Sequence, residues 1–339
     1  MIAAPRGLGV AVDEAGVRLG EAGPWLDPAR PVPLAFVSHV HAAAAAAGSG
    51  RMLASRETLA LAAALGLPLS AAEGLDWDDA VDVPWADGAA ARVSLAPAGH
   101  VLGAAQLVVE VSGRRLVYTG DWGPHGGVGH APGRVIACDD LVLTSTFALP
   151  IFRFEPASAV LDALVAWCAE RLASGVTPVV LAGTPGPAQR VVGALLDGGV
   201  PASAVGEVGR GWAAYATCGV AAAASELPAH EAGARGRVIV APAAARASDV
   251  EVRGRVEVAY VSPWALLDAA VEQKRADAAF VLADQADHRA LVGLVRASGA
   301  RRVVATRGDA RELAHLLARA GGVEATAIEL GAIDERGAS

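Results

Sequence analysis

The sequence is poor in aromatic residues, which make up only 4% of a chain whose hydrophobic content is 53%. Its apolar side chains are therefore mostly Ala, Val and Leu, and we expect a core built from small groups. No uncharged apolar run reaches the roughly 18 residues that span a bilayer, which argues against a transmembrane helix. The first residues lack a basic stretch followed by an apolar one, so we expect no secretion signal and a soluble, cytoplasmic protein without a membrane partner.

Cysteines and runs of positive charge are also scarce. The three cysteines, Cys138, Cys168 and Cys218, have no CxxC spacing, which argues against a disulfide framework or a thiolate zinc site. The net charge is −8, from 28 basic and 36 acidic residues, and no run of Lys or Arg exceeds two residues. Avid, non-specific binding of nucleic acid needs many phosphate contacts, so this composition weakens that class and leaves room only for a local basic groove.

The apolar periodicity divides the 339 residues into two parts at about Pro156. Short strands predominate before it, at 81–84, 91–97, 105–111, 115–119 and 140–146, with a hairpin at 7–20 and a helix at 55–65. Helices alternate with strands after it, with helices at 157–173, 187–196, 289–297 and 310–320 and strands at 178–182, 238–241, 257–261, 279–283 and 302–306. This alternation is typical of a parallel sheet in an α/β protein.

Three of the predicted strands are followed by residues that bind metal ions. His39 and His41 follow the apolar run at 34–37, His100 stands in a Gly-rich junction between two strands, and Asp121 follows the strand at 115–119. Neutral imidazole and carboxylate are both zinc ligands. Together the four residues predict a metal site, although each residue taken singly also fits a turn or a hydrogen-bonded histidine.

The order and spacing of these motifs resemble the metallo-β-lactamase superfamily, and within it the β-CASP nucleases. The likeness is greatest to the bacterial ligase-associated DNA exonucleases, which are similar to mRNA 3′-end processing exonucleases. It covers nearly the whole chain and rests on the segments LDPARPVPLAFVSHVH, APAGHVLGAAQLVVE, YTGD, STFALPIFRFEP, PGPAQRV, LADQADH and ATRGD.

The resemblance implies a fold and an activity. The expected fold is an αββα sandwich formed by residues 1–154 and 273–339, with an α/β cap, the β-CASP domain, inserted at residues 155–272. Active members of the family are zinc-dependent phosphodiesterases that cut DNA or RNA with two metal ions.

Five polar positions of the family's active site are replaced in this chain. By the resemblance, Ala43 stands where the family has an aspartate and Ala44 where it has a histidine. Thr144 replaces an acidic residue. Gln285 and Arg307 each replace a histidine.

The replacements affect one half of the site. In the family, the residues that match His39, His41, His100 and Asp121 hold one zinc ion, and of the second ion's ligands only Asp121 is left. Methyl groups cannot bind a cation, and a guanidinium has no acceptor lone pair. We therefore expect one zinc ion at most. We also expect Arg307 to pair with Asp121 in place of the lost ion, with a surface arginine as the alternative.

These losses favour a degenerate, catalytically impaired nuclease homologue, because the second metal, an acidic residue and the family's proton-donating histidine are all missing. Such a protein would bind DNA or RNA, with Arg190 as a candidate contact, or a protein partner such as a DNA ligase or helicase in DNA repair. The alternative is an active exonuclease or another phosphoester hydrolase. A single zinc ion with an open position lowers the pKa of bound water toward 7, which keeps hydrolysis feasible.

Overall fold

The computed structural model describes residues 9–67, 69, 71–86 and 88–329. These residues form two compact units, one made of residues 9–153 and 285–329 and the other of residues 154–284. The units contain several sheets together with helices, so the chain is a mixed α/β protein, as the sequence predicts. Within the described ranges, none of the helices combines the length and the apolar character that crossing a membrane requires.

The described part of the chain contains eighteen strands, eight α-helices and three short 3₁₀ helices. The strands are β1 Val10–Asp13, β2 Gly16–Leu19, β3 Trp25–Leu26, β4 Leu34–Phe36, β5 Arg51–Ser55, β6 Ala72–Leu75, β7 Ala80–Pro84, β8 Ala90–Pro97, β9 Ala105–Val111, β10 Arg114–Tyr118, β11 Asp140–Thr144, β12 Thr177–Ala182, β13 Ala202–Ala204, β14 Val238–Pro242, β15 Val256–Val261, β16 Ala278–Phe280, β17 Arg302–Thr306 and β18 Glu324–Ile328. The helices are α1 Val40–Ala46, α2 Arg56–Ala64, α3 Ala157–Ala173, α4 Pro187–Asp197, α5 Glu207–Thr217, α6 Asp268–Lys274, α7 His288–Ser298 and α8 Ala310–Ala320. The 3₁₀ helices are Ala221–Ala224, Ala247–Asp249 and Pro263–Leu266.

The first unit contains two sheets that share an apolar core. The six-stranded sheet has the order β1-β2-β3-β4-β5-β6, and the seven-stranded sheet has the order β18-β17-β11-β10-β9-β8-β7. Leu19, Phe36 and Leu53 of the first sheet are fully buried in one cluster with Leu95 and Leu107 of the second. Burying one such side chain contributes about 1.5–3 kcal/mol, so this layer holds the two sheets together.

Helices cover the outer faces of the two sheets. On the seven-stranded sheet, α7 and α8 pack through an apolar cluster that includes Leu291, Leu313 and Leu317 from the helices and Leu143 and Val303 from the strands. On the six-stranded sheet, α2 lies against β5 and β6. The first unit thus has the layer order helix, sheet, sheet, helix.

The second unit contains one parallel sheet of five strands in the order β13-β14-β12-β15-β16. Its central strands β12 and β14 are almost entirely apolar, which is typical of a parallel sheet that is covered on both faces. Val179 and Leu181 of β12 share a buried cluster with Ile239 of β14 and Tyr260 of β15. The parallel sheet predicted from the alternation of strands and helices is confirmed.

The second unit ends later than the sequence predicts. Residues 273–284 are assigned to the first unit by the sequence, but they lie within the second. The reason is a backbone ladder, because β16 pairs in parallel with β15 and places Ala279 opposite Tyr260. The predicted limit at residue 272 is therefore replaced by a limit at Asp284.

Most of the predicted elements are present. Strand 302–306 and helices 157–173 and 310–320 have the predicted bounds. Helix α5 is not predicted from the sequence, because its interior contains two glycines that lower helix propensity. Its buried face, which includes Trp212 and Tyr215, supplies the packing that overrides this local preference.

We expect Leu313→Ala to lower the free energy of unfolding by about 2–5 kcal/mol, because Leu313 is fully buried between α8 and the seven-stranded sheet. Glu312→Ala, on the exposed face of the same helix, serves as the control and should change stability by less than about 0.5 kcal/mol. Urea unfolding followed by circular dichroism measures both values. Equal effects of the two substitutions would contradict this packing of α8.

Candidate metal centre

Three histidines of the first unit lie close together. Their candidate ligand atoms, one from each of His39, His41 and His100, all lie within 4.8 Å of one another. The ring centroids are 5.0 Å apart for His39 and His100 and 5.2 Å apart for His39 and His41. Among the described residues, no other group of three or more His, Cys, Asp or Glu side chains has this geometry. The three histidines could hold a metal ion.

His39 and His41 lie at the junction between β4 and α1. His39 occupies the position before the first turn of α1, with an extended backbone at φ −161°, whereas His41 lies within that turn. The two residues therefore leave the chain from different backbone conformations. This change of conformation lets side chains only two positions apart approach the same point.

His100 lies in a loop that is anchored to the start of α2. The hydroxyls of Ser55 and Thr58 both donate to the carbonyl oxygen of Gly103, at 2.6 and 2.9 Å. Gly103 has a φ of +78°, and a Cβ at this position would lie 2.3 Å from the backbone nitrogen of Thr58. Only glycine permits this close approach, so Gly103 fixes the loop that carries His100.

Asp121 lies beside two of the histidines. Its Oδ2 is 3.7 Å from Nε2 of His39 and 3.9 Å from Nε2 of His100. Burial raises the pKa of Asp121, but His39, His100, Arg307 and Thr144 together outweigh burial and hold the pKa below its ordinary value. Arg307 is the neighbour that keeps its positive charge when the imidazoles are neutral. Asp121 is therefore an anion beside the three histidines.

Two of the replaced positions contribute uncharged groups next to Asp121. Nε2 of Gln285 donates to Oδ2 of Asp121 at 3.1 Å. The hydroxyl of Thr144 donates to the carbonyl oxygen of Gly120 at 2.9 Å and is also among the causes that lower the pKa of Asp121. An amide and a hydroxyl thus stand where the resemblance leads one to expect a histidine and an acid.

Arg307 extends toward the same place. Its Nη2 donates to the carbonyl oxygen of Asp27 at 2.9 Å, and its charge helps to lower the pKa of Asp121. The residue has a φ of +57°, in the left-handed region that long side chains rarely adopt. The guanidinium is therefore a half-buried part of the site and not a surface group. Its direct pairing with Asp121 stays a prediction.

The two alanines offer no ligand to a metal ion. Ala43 is fully buried and Ala44 is exposed, both in the short helix α1 that follows His39. With Arg307, they leave Asp121 as the one metal-binding side chain among the residues that the resemblance matches to the second ion.

Arg190, the candidate contact for nucleic acid, is only 8% exposed and lies in the second unit. Its Nη1 donates to the carbonyl oxygen of Ala283 at 3.1 Å. Burial lowers its pKa, against the opposing effect of the nearby Asp284. This placement gives Arg190 a structural role within the second unit and leaves little of its side chain accessible to a phosphate.

A buried polar network next to His39 was missed by the sequence analysis. Asp27 accepts a hydrogen bond from the backbone nitrogen of Ser38 at 2.7 Å and another from the hydroxyl of Tyr118 at 2.8 Å. The hydroxyl of Ser38 donates to Asp27 at 2.6 Å and lies 2.8 Å from Nδ1 of His39. The available signal was the position of Ser38 and Asp27 as single polar residues beside apolar runs.

Burial keeps His39 neutral near pH 7. It lowers the pKa of His39 from 6.5 to about 4, against the opposing charge of Asp121. Neutral imidazole is the form that has a lone pair for a metal ion. The donor set therefore fits a divalent transition metal.

No protein family model matches the chain. Over 328 residues it is 30% identical to a protein of Opitutus terrae named "Probable DNA ligase", and the match covers 92% of this chain but only 30% of that protein. The chain thus spans about three tenths of the length of this curated relative.

Among solved structures, the chain is similar to a protein of unknown function from Enterococcus faecalis V583. The TM-score is 0.57 at 14% sequence identity, and the match covers 90% of this chain and 80% of that chain. At this identity the likeness shows a shared fold.

We expect the metal-free protein to lose stability as the pH falls from about 6.5 to about 4, because His39 resists protonation in the folded state. The unfolded chain binds more protons in this window, so the free energy of unfolding rises with pH across it. Urea unfolding at several pH values measures this fall in the free energy of unfolding. In His39→Gln the fall should be smaller than in the wild type by up to about 3 kcal/mol. The control His315→Gln, on the exposed face of α8, should retain the full dependence. Identical pH profiles for the wild type and His39→Gln would contradict the buried, neutral imidazole.

Proposed function

We propose that the chain is a degenerate β-CASP nuclease homologue that holds one zinc ion and binds DNA with little or no hydrolysis. The helix, sheet, sheet, helix layers of the first unit support a metallo-β-lactamase sandwich. The parallel sheet of the second unit supports a β-CASP cap. The family motifs and their order, set out above, support both assignments.

One observation carries the proposal: three histidines cluster beside Asp121, while Ala43, Ala44 and Arg307, the other residues matched to the second ion, cannot bind a cation. His39, His41 and His100 would hold the zinc ion, with Asp121 beside them. When bound, zinc would supply a Lewis acid and lower the pKa of a bound water. The positive charge of Arg307 would repel a second dication at the vacated position.

The loss of efficient hydrolysis follows from the groups that replace the family's catalytic residues. A pair of metals stabilises both the attacking and the leaving oxygen in phosphodiester cleavage, and a single ion supplies only part of this effect. The amide of Gln285, which contacts Asp121, has no acidic proton to give to a leaving group. The hydroxyl of Thr144 is committed to the carbonyl oxygen of Gly120 and is also a poor acid.

The similarity to a protein named as a DNA ligase supports DNA as the ligand. In that relative, a segment of about this length belongs to one polypeptide with a further 70% of the protein, since the match covers 30% of it. Segments that belong to one polypeptide have a high effective concentration relative to each other. We therefore propose that this chain acts at DNA together with a ligase, as its protein partner or in the same assembly.

A mononuclear zinc hydrolase is the second candidate function. The observation in its favour is that three histidines would hold the zinc ion while Asp121 lies within 4 Å of two of them. A carboxylate next to a metal-bound water can accept its proton. This reading predicts cleavage that depends on the histidines.

We expect the purified protein to contain about one zinc ion per chain and to show no zinc-dependent cleavage of labelled single- or double-stranded DNA. Elemental analysis gives the metal content, gel electrophoresis detects cleavage, and fluorescence anisotropy with the same DNA measures binding. His39→Ala should lower the zinc content because it removes one of three ligands. Zinc-dependent cleavage that disappears in His39→Ala would refute the proposal that catalysis is impaired and would establish the hydrolase. An absence of DNA binding would refute DNA as the ligand.

Restoring ligands tests the proposed loss of the second ion. In the combined variant Ala43→Asp, Ala44→His and Arg307→His, we expect the zinc content to rise from about one to about two ions per chain, because the cation is removed and acceptor groups return. Ala45→Asp, on the exposed face of α1, is the control for an added carboxylate and should stay at one ion. A second zinc ion in the unmodified chain would contradict the proposal.

A further inference from the structure

The side chain of Asp27 is buried beside the candidate metal centre and accepts three hydrogen bonds. Only 5% of the residue is exposed. Its Oδ1 accepts from the backbone nitrogen of Ser38 at 2.7 Å, and its Oδ2 accepts from the hydroxyls of Ser38 at 2.6 Å and Tyr118 at 2.8 Å. A buried carboxylate is costly without such partners, so the three donors account for its position.

The donors in this network determine which nitrogen of His39 carries the proton. A serine hydroxyl has one hydrogen, and the hydroxyl of Ser38 gives it to Asp27. The oxygen of Ser38 can then only accept in its 2.8 Å contact with Nδ1 of His39. Nδ1 must therefore carry the hydrogen, which leaves the lone pair on Nε2, the nitrogen that lies 3.7 Å from Asp121.

The backbone around this network is shaped to hold it. Asp27 itself has a φ of +42°, in the left-handed region that non-glycine residues seldom adopt. Gly120 lies against Ser38, and a Cβ at Gly120 would be 2.6 Å from the Cβ of Ser38. The guanidinium of Arg307 binds the carbonyl oxygen of Asp27. Unfavourable backbone conformations persist where surrounding contacts enforce them, and they cluster at functional sites.

We propose that Asp27 and Ser38 are positioning residues that fix the tautomer and the direction of His39, so that Nε2 keeps the lone pair that would bind the metal ion. The order carboxylate, hydroxyl, imidazole resembles the carboxylate–histidine arrangement of metalloproteins, with a serine hydroxyl inserted between the two groups. The proposal rests on the zinc site proposed above for its effect on affinity. The tautomer itself is a property of the metal-free protein.

The tautomer is read by NMR on metal-free protein labelled with ¹⁵N in its histidines, where two-bond couplings distinguish Nδ1–H from Nε2–H. In the wild type we expect His39 to be almost wholly the Nδ1–H form. In Ser38→Ala we expect a mixture of both forms, because the acceptor for Nδ1–H is gone. Resonances of His39 are assigned by their absence in His39→Gln.

Zinc affinity gives the second readout, measured by competition with a chromophoric chelator. Loss of the group that orients a metal-binding histidine typically lowers affinity by about 10- to 100-fold, and we expect this loss in Ser38→Ala. Ser49→Ala is the matched control. Ser49 is also buried in the first unit, where its hydroxyl accepts from Val32 and donates to Ala46, but it has no bond to a histidine. It should keep both the wild-type tautomer and the wild-type affinity.

Tyr118→Phe separates positioning from general stability. It removes one donor to Asp27 and leaves the contact between Ser38 and His39, so we expect the Nδ1–H tautomer to persist. An Nε2–H tautomer in the wild type would overturn the proposal without the need for any variant. Wild-type tautomer and affinity in folded Ser38→Ala would overturn it as well. If the wild type binds no zinc, the proposed function fails, whereas the tautomer of His39 still decides whether Ser38 positions the imidazole.

Discussion

The parallel pairing of β11 with β17 is the interaction on which the candidate site depends. It joins strands on either side of the second unit in sequence, with Asp140 opposite Arg302 at one end and Thr144 opposite Thr306 at the other. At the first end, the buried carboxylate of Asp140 accepts from Arg302 at 2.8 Å. At the second, the chain continues directly into Arg307. The same ladder therefore places Thr144 and Arg307, far apart in sequence, at one edge of the sheet.

The sequence predicts what is local and periodic. The helix at 157–173 and the histidines at strand ends follow from patterns within a few residues, and the structure has them. The network of Asp27 and Tyr118 could not be predicted in this way, since its partners are 91 positions apart and meet only when two sheets pack. The second unit ends later than predicted for the same reason, because the strand predicted at 279–283 pairs with β15, and local periodicity does not show which strand is its partner.

Arg190 and Arg307 show that residue type alone does not determine the role of an arginine. The sequence predicts that Arg190 contacts nucleic acid and that Arg307 pairs with Asp121. Both guanidiniums donate to backbone carbonyl oxygens, those of Ala283 and Asp27. Arginine has five N–H donors in a fixed plane. It can therefore donate to backbone carbonyl oxygens while its positive charge still acts on neighbouring groups. The charge of Arg307 acts in this way when it helps to lower the pKa of Asp121.

The charge of Arg307, which helps to lower the pKa of Asp121, determines how the site responds to its surroundings. A bound metal ion exchanges with the solution, and its occupancy varies with metal supply and with competing chelators. A guanidinium that is covalently part of the chain does neither, and it stays charged at every physiological pH. Part of the positive charge near Asp121 thus belongs to a side chain of the protein and does not depend on binding a metal ion after folding. A protein built this way keeps a constant local field when metal is scarce.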